Sequence, residues 1–232
     1  MKALKFLESA HDPSIDDKFH QLNAGNIGNV IYWWKFFEMV SGIDGDVVEC
    51  GIGRGRSLLV ILAINWFLAK KEGGQRRVFG YDSFEGFPEP TLEDASKRAP
   101  KKGEWSRSPS GKYKYSIDFI KMVLSKAGLP VARLPLVLTR GFFCDSLKKH
   151  PDRPIALLHL DGDLYQSYKD CLVNLYEKVA RGGVIVFDDF QGRRPQLDAF
   201  PGSRLAIKEF LGKEYKNLKM SVGGTFYYVK RR

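Results

Sequence analysis

Cysteine is scarce. The three residues in this 232-residue chain, Cys50, Cys144 and Cys171, are too few, too widely spaced and odd in number for a disulfide framework or a zinc cluster. All three are read as reduced thiols. Long apolar runs are missing as well: no stretch approaches the ~20 residues that a bilayer span needs, so no membrane partner is expected. Between Met1 and Ala10 the charges of Lys2, Lys5 and Glu8 interrupt the chain, and no apolar core ends in a small-residue cleavage site. A cytoplasmic location is the default expectation. What is present is a globular balance, 44% hydrophobic and 28% charged residues, in a length that fits one large domain over residues 1–232. The formal charge of +10, with a pI near 9.4, permits an anionic partner, either a nucleic acid or a phosphorylated small molecule.

From residue 46 onward, short β-branched or apolar runs alternate with amphipathic stretches, the pattern of a parallel sheet crossed by helices. The fold class is α/β. Strands are expected at Asp46 to Cys50, Val78 to Tyr81, Leu134 to Thr139, Ile155 to Leu160 and Val184 to Phe187, each continuously apolar as strands covered on both faces should be. Helices are expected at Ser57 to Lys70, Ser116 to Ala127 and Ser167 to Ala180. The rhythm then changes. Leu218 to Val222 and Thr225 to Lys230 are strand-like runs joined only by Gly223 and Gly224, which reads as a tight hairpin. A parallel sheet closed by a hairpin resembles the seven-stranded sheet of class I methyltransferases.

Two regions stand outside this rhythm. Residues 1–45 read as an N-terminal helical extension containing an aromatic stretch, Ile31 to Met39, for which core packing is the safer reading and a subunit interface the alternative. Residues 84–115 are rich in Pro, Lys, Arg and Ser and too long for a simple connection, so a lid is expected there, with disorder as the alternative. The cations Lys97, Arg98, Lys101, Lys102, Arg107, Lys112 and Lys114 could attract an anionic acceptor.

The first strand runs into Glu49-Cys50-Gly51-Ile52-Gly53-Arg54-Gly55, followed by Ser57 and an apolar helix. Glycines there let the backbone approach a ligand closely. The loop alone is shared with nucleotide folds and plain turns, but a second acid, Asp82, followed by Ser83, ends the next strand, where a carboxylate can accept both hydroxyls of a ribose. Together they point to a nucleoside-bearing cofactor. An NAD site would set a pyrophosphate at the helix amino terminus. The acid Glu49 ahead of the glycines instead suits the cationic amine and sulfonium of S-adenosylmethionine.

Farther on, the strand at Ile155 to Leu160 ends in Asp161-Gly162-Asp163, and the next ends in Asp188-Asp189. Adjacent parallel strands present their carboxyl ends on one edge, so these carboxylates converge on one rim. Like charges this close repel unless a cation sits among them, and hard oxygen donors select Mg²⁺ or a similar ion. No Cys or His stands in ligand spacing with them.

Taken together, VVECGIGRGRS, GYDSFEGFPEP, ALLHLDGDLYQSYKDCLVNLY and GGVIVFDDF make most of the chain, from about residue 25 to 230, resemble the macrocin O-methyltransferase family of sugar-modifying enzymes. The resemblance implies a class I methyltransferase, Rossmann-like sheet with helices on both faces, and an O-methyltransferase using S-adenosylmethionine with Mg²⁺. By the same matching the metal ligands fall on Asp161, Asp188 and Asp189, and Asp163 takes the position of the general base. Glu49, Gly51, Gly53, Gly55, Ser57, Asp82 and Ser83 would hold the cofactor together with Asp161, while Gly141 and Phe142 would lie against its adenine. In the related catechol-type enzymes a lysine stands three residues after the first metal aspartate. Here that position is Leu164, which strengthens Asp163 as the base. The acceptor is expected to be a small hydroxylated molecule: a sugar, sugar nucleotide or glycosylated natural product. Alternatives are RNA or other small-molecule methylation, for which no base-stacking aromatic and basic pattern is visible, and a non-catalytic binding module. Homo-oligomerisation stays open.

Overall fold

The computed structural model describes residues 24–72, 74–190 and 199–231, with the side chains of residues 70–72 outside the description. The first 23 residues of the expected N-terminal extension lie outside the described residues. Strands β1 (Asp46–Cys50) and β4 (Ile155–Leu160) have every residue buried, which is why they read as unbroken apolar runs. They pair in parallel at the centre of a seven-stranded sheet completed by β2 (Val78–Asp82), β3 (Leu136–Arg140), β5 (Val179–Phe187), β6 (Lys219–Met220) and β7 (Phe226–Val229). The order is β3-β2-β1-β4-β5-β7-β6, with β7 antiparallel to both β5 and β6. Chain direction along the order reverses between β1 and β4. At such a switch point the connections leave to opposite faces and open a crevice at the carboxyl ends of the strands.

The alternation of side chains along each strand divides the core in two. Val47 and Val78 face one apolar cluster, built with α1 (Ala24–Met39), α2 (Arg56–Glu72) and α3 (Ile117–Lys126). Val48 and Phe79 face the other, built with α5 (Tyr165–Leu175) and α6 (Pro201–Leu211). A short α4 (Phe143–Ser146) follows β3. The aromatic stretch of α1 is core: Tyr32, Trp33, Phe36 and Phe37 are buried, and Phe36 meets Tyr227 of β7 edge-on at 5.4 Å. Trp34 faces outward, its indole donating to Glu38. Among the described residues no helix is long and apolar enough to cross a membrane, and all three cysteines are free thiols.

Several boundaries differ from the sequence expectation. The helix expected to reach Ala180 ends at Leu175 and passes through a 3₁₀ turn (Tyr176–Lys178) into β5, which begins five residues before Val184. Pairing wins there: Val179 aligns with Ile155, and Gly182, at φ +81°, lets the strand bend while its amide and the Gly183 carbonyl bond to Lys230. Strand β3 starts at Leu136, because a 3₁₀ turn (Val131–Arg133) occupies the approach. The closing hairpin turns over Ser221–Thr225 rather than over two glycines, as Ser221 Oγ accepts the amides of Gly223 and Thr225.

The insertion at 84–115 is fixed at several points to the helices beside it. Asp94 is buried, and its Oδ1 accepts the amide of Tyr165 at 2.7 Å, capping the amino terminus of α5 from a distant segment. Gly202 packs so closely on Asp94 that a Cβ would come within 2.1 Å of the carboxylate. Ser96 donates to the Ala199 carbonyl. Phe36→Ala empties a fully packed site and is expected to lower unfolding free energy by about 3–5 kcal/mol, whereas Val173→Ser, on the outer face of α5, should stay within about 0.5 kcal/mol; urea denaturation of both variants checks the difference.

Candidate active site

The site begins where β1 and β4 end. The Asp161 amide donates to Cys50 O and the Gly51 amide to Tyr81 O, both at 2.9 Å, and a Cβ on Gly51 (φ +95°) would lie 1.7 Å from Asp161 O. Only glycine fits that close approach of two backbones. The chain then curls through Gly53, whose amide donates to Asp82 Oδ2 at 2.8 Å, while the Phe84 amide donates to Oδ1 at 2.6 Å. Asp82 therefore pins the glycine loop to the end of β2. Burial pushes its carboxyl up from the ordinary range in spite of these amide donors.

Beneath the loop lies Glu49, fully buried on β1. Ser57 Oγ and His159 Nδ1, the latter at 3.1 Å, both donate to its Oε1, and Oε2 has no partner. On the far side of His159, Nε2 lies 3.9 Å from Asp188 Oδ1.

A cavity of about 370 Å³ opens over this edge of the sheet. Gly51, Gly53, Asp82 and Ser83 line it, as do Phe142, Asp161 and Asp163. Glu49, Gly55, Ser57 and Gly141 are not on its wall, and neither are Asp188 and Asp189. The insertion contributes Phe87, Glu104 and Trp105, and α4 contributes Phe143 and Cys144. None of those residues is marked as a site residue by the sequence. Trp105 carries a signal only in three dimensions: its backbone sits at φ +65°, an uncommon conformation for a bulky side chain, and its half-exposed ring is held by Arg98 at 5.1 Å and by Phe87 at 5.2 Å. Phe200 closes the same cluster, 5.0 Å from the Arg98 guanidinium. Arg98 also pairs with Glu104 at 2.7 Å.

The acids crowd at the other end. Oxygens of Asp161, Asp163 and Asp189 all lie within 4.8 Å of one another. Asp163 is held in the left-handed region, φ +57°, with its amide donating to Asp189 Oδ2 at 2.8 Å. Tyr168 donates to that same oxygen at 3.1 Å, and Ser203 Oγ donates to the Asp189 carbonyl. Asp188 stands outside this tight trio with a half-exposed side chain. Burial first, then the neighbouring carboxylates, push Asp161 and Asp163 well above the ordinary carboxylate range and Asp189 up to about 7.

The residues present suit two bound groups. An all-oxygen, mutually repelling donor set is what a hard divalent cation satisfies. A bare glycine loop, an acid at the end of β2 and the unpartnered Glu49 Oε2 suit a nucleoside with a cationic tail.

This sheet order, with the glycine loop after β1 and acids at the ends of β2, β4 and β5, defines the class I methyltransferase fold. Solved structures agree on the fold. The calicheamicin methyltransferase CalS11 superposes with a TM-score of 0.72 at 21% identity, covering 90% of this chain and 80% of that one. The O-methyltransferase NovP gives 0.70 at 26% identity, over 95% of this chain and 88% of that one. The macrocin-O-methyltransferase (TylF) family model matches residues 38–221, and the chain belongs to that family. It is 30% identical over 178 residues to the 8-demethyl-8-(2,3-dimethoxy-alpha-L-rhamnosyl)-tetracenomycin-C 4'-O-methyltransferase of Streptomyces olivaceus, spanning 75% of this chain and 61% of that protein. It is 32% identical over 168 residues to the demethyldecarbamoylnovobiocin O-methyltransferase of Streptomyces niveus, spanning 68% of this chain and 58% of that protein.

The crowded carboxyls set a pH dependence. Their folded pKa values lie above those of the unfolded chain, near 4, so the folded protein holds protons that unfolding releases, and stability falls as pH rises through that interval. Without divalent cations, the wild type should lose stability as pH rises above about 4, with Asp189 contributing the part that ends near pH 7. Asp189→Asn should flatten that slope; thermal melts across the range, superimposable for both proteins, would contradict the repulsion.

Proposed function

We propose that this protein transfers the methyl group of S-adenosylmethionine to a hydroxyl of a sugar, sugar nucleotide or glycosylated natural product, with Mg²⁺ or a similar divalent cation on the acidic rim. The observation that carries the reading is that one cavity touches the glycine loop and Asp82 as well as Asp161 and Asp163. The rhamnosyl-bearing product named for the Streptomyces olivaceus relative supports a glycosylated acceptor, and the solved O-methyltransferase TomG, of the same fold, was obtained in complex with S-adenosylmethionine.

On this reading Asp82 accepts the ribose hydroxyls, Glu49 lies buried beneath the loop at the cationic amino-acid end, and Gly141 and Phe142 border the adenine. Asp161, Asp188 and Asp189 hold the cation. A bound divalent cation supplies Lewis acidity to the reacting hydroxyl. The protein's own contribution is geometry and proton management. Asp163 accepts the acceptor's proton on a carboxylate oxygen, and its left-handed backbone, tied to Asp189, holds that carboxylate toward the cavity. The insertion serves as a lid over the acceptor end, where Trp105 and Phe87 present aromatic surface to the apolar face of a sugar ring. Of the lid cations, Arg98 and Lys102 are paired with Glu104 and Glu89, which leaves the anion-attracting role to the others.

Asp163→Asn should lower kcat by about 10²–10⁴-fold and leave S-adenosylhomocysteine binding unchanged; wild-type turnover in that variant would remove the base assignment. Trp105→Ala should raise the acceptor KM with little change in kcat, and Trp105→Phe should restore most of the loss in steady-state kinetics. An unchanged KM in Trp105→Ala would exclude the stacking role.

A further inference from the structure

Strand β4 is apolar throughout except for His159, which is almost fully buried. A buried imidazole is costly unless its nitrogens find polar partners. Cross-strand register supplies a hydrogen-bond partner for Nδ1 and a nearby carboxylate for Nε2, which itself makes no hydrogen bond. His159 lies opposite Glu49 on β1 and opposite Val186 on β5, two residues before Asp188. Its Nδ1 is 3.1 Å from Glu49 Oε1, the oxygen that also accepts Ser57 Oγ at the start of α2, and its Nε2 is 3.9 Å from Asp188 Oδ1. Trp33 of α1 packs edge-on against the imidazole at 4.7 Å. His159 itself is not on the cavity wall. Ser57, Glu49 and His159 are thus joined by hydrogen bonds beneath the sheet edge, and Nε2, which makes no hydrogen bond, faces the Asp188 carboxylate, so the group lies between the glycine loop's helix and the acidic rim.

We propose that His159 is a positioning residue that couples the two halves of the site, so that a divalent cation on the rim and the methyl donor's amino-acid end are bound cooperatively. The proposal rests on the functional reading above. A cation drawing on Asp188 alters the partner of Nε2. Because one rigid ring carries both nitrogens, the change is transmitted to Glu49, the carboxylate beneath the cofactor loop. Linkage makes the effect reciprocal: a cation that tightens cofactor binding is itself tightened by the cofactor.

The test is calorimetric titration of S-adenosylhomocysteine into metal-free full-length protein and into protein saturated with Mn²⁺. Wild type should show affinity about 5-fold or more higher with Mn²⁺. His159→Asn keeps a polar group toward Glu49 and is too short to reach Asp188. It should bind S-adenosylhomocysteine without metal about as wild type does, with the Mn²⁺ factor falling to about one. Ser57→Ala breaks the hydrogen-bonded group at its other end without touching the imidazole, and a reduced factor there supports the same link if His159→Asn folds poorly. An equal factor in wild type and variants, or no factor in wild type that binds both probes, overturns the proposal. No binding of S-adenosylhomocysteine to wild type removes the methyltransferase reading itself, and the coupling with it.

Discussion

Carboxylates packed together at the ends of β4 and β5 repel one another, and the surroundings of the site are arranged around that repulsion. Asp161, Asp163 and Asp189 cannot all be ionised at neutral pH without a compensating charge, which is the physical meaning of their raised proton affinities. Tyr168 and the Asp163 amide donate to Asp189, and Ser203 holds its backbone, so the crowding persists in a fixed geometry. On the proposed reading, a site that keeps such strain in place is prepared for a cation.

The remaining elements serve to bring that rim against the glycine loop and Asp82. The switch between β1 and β4 opens the crevice, and the contact of Gly51 with Asp161 makes the glycine loop and the acidic rim neighbours across a single backbone approach. Asp94 ties the insertion to the first turn of α5, the helix that follows the Asp161-Gly162-Asp163 turn. The insertion is therefore anchored to the helix that follows β4, and the Arg98 cluster with Phe87, Trp105 and Phe200 anchors it again to the segment entering α6.

Much of this was legible in the sequence for a physical reason: strands covered on both faces leave unbroken apolar runs, and glycines or acids at their ends stand out against them. The central strands β1, β2 and β4, the antiparallel close and the grouping of the acids on one rim follow from that contrast. The first half of β5 did not, because Arg181, Gly182 and Gly183 look like a turn until Lys230 is seen bonding across them. The turn at Ser221 was hidden because a serine side chain, rather than the glycine pair, sets its length. The setting of His159 is not legible in the sequence, since Glu49 and Asp188 come beside it only through cross-strand register. The aromatic cluster joins residues more than a hundred positions apart, Phe87 and Phe200, and no local pattern announces it.

On the proposed reading the acidic rim binds a divalent cation beside the cavity. Electron paramagnetic resonance of Mn²⁺ added to the protein in the presence of S-adenosylhomocysteine measures it most directly, because free and bound ions give distinct signals. The account predicts one tightly bound ion per chain, lost in Asp189→Asn. Mn²⁺ that remains free in the wild type, or binds equally well to that variant, would contradict it.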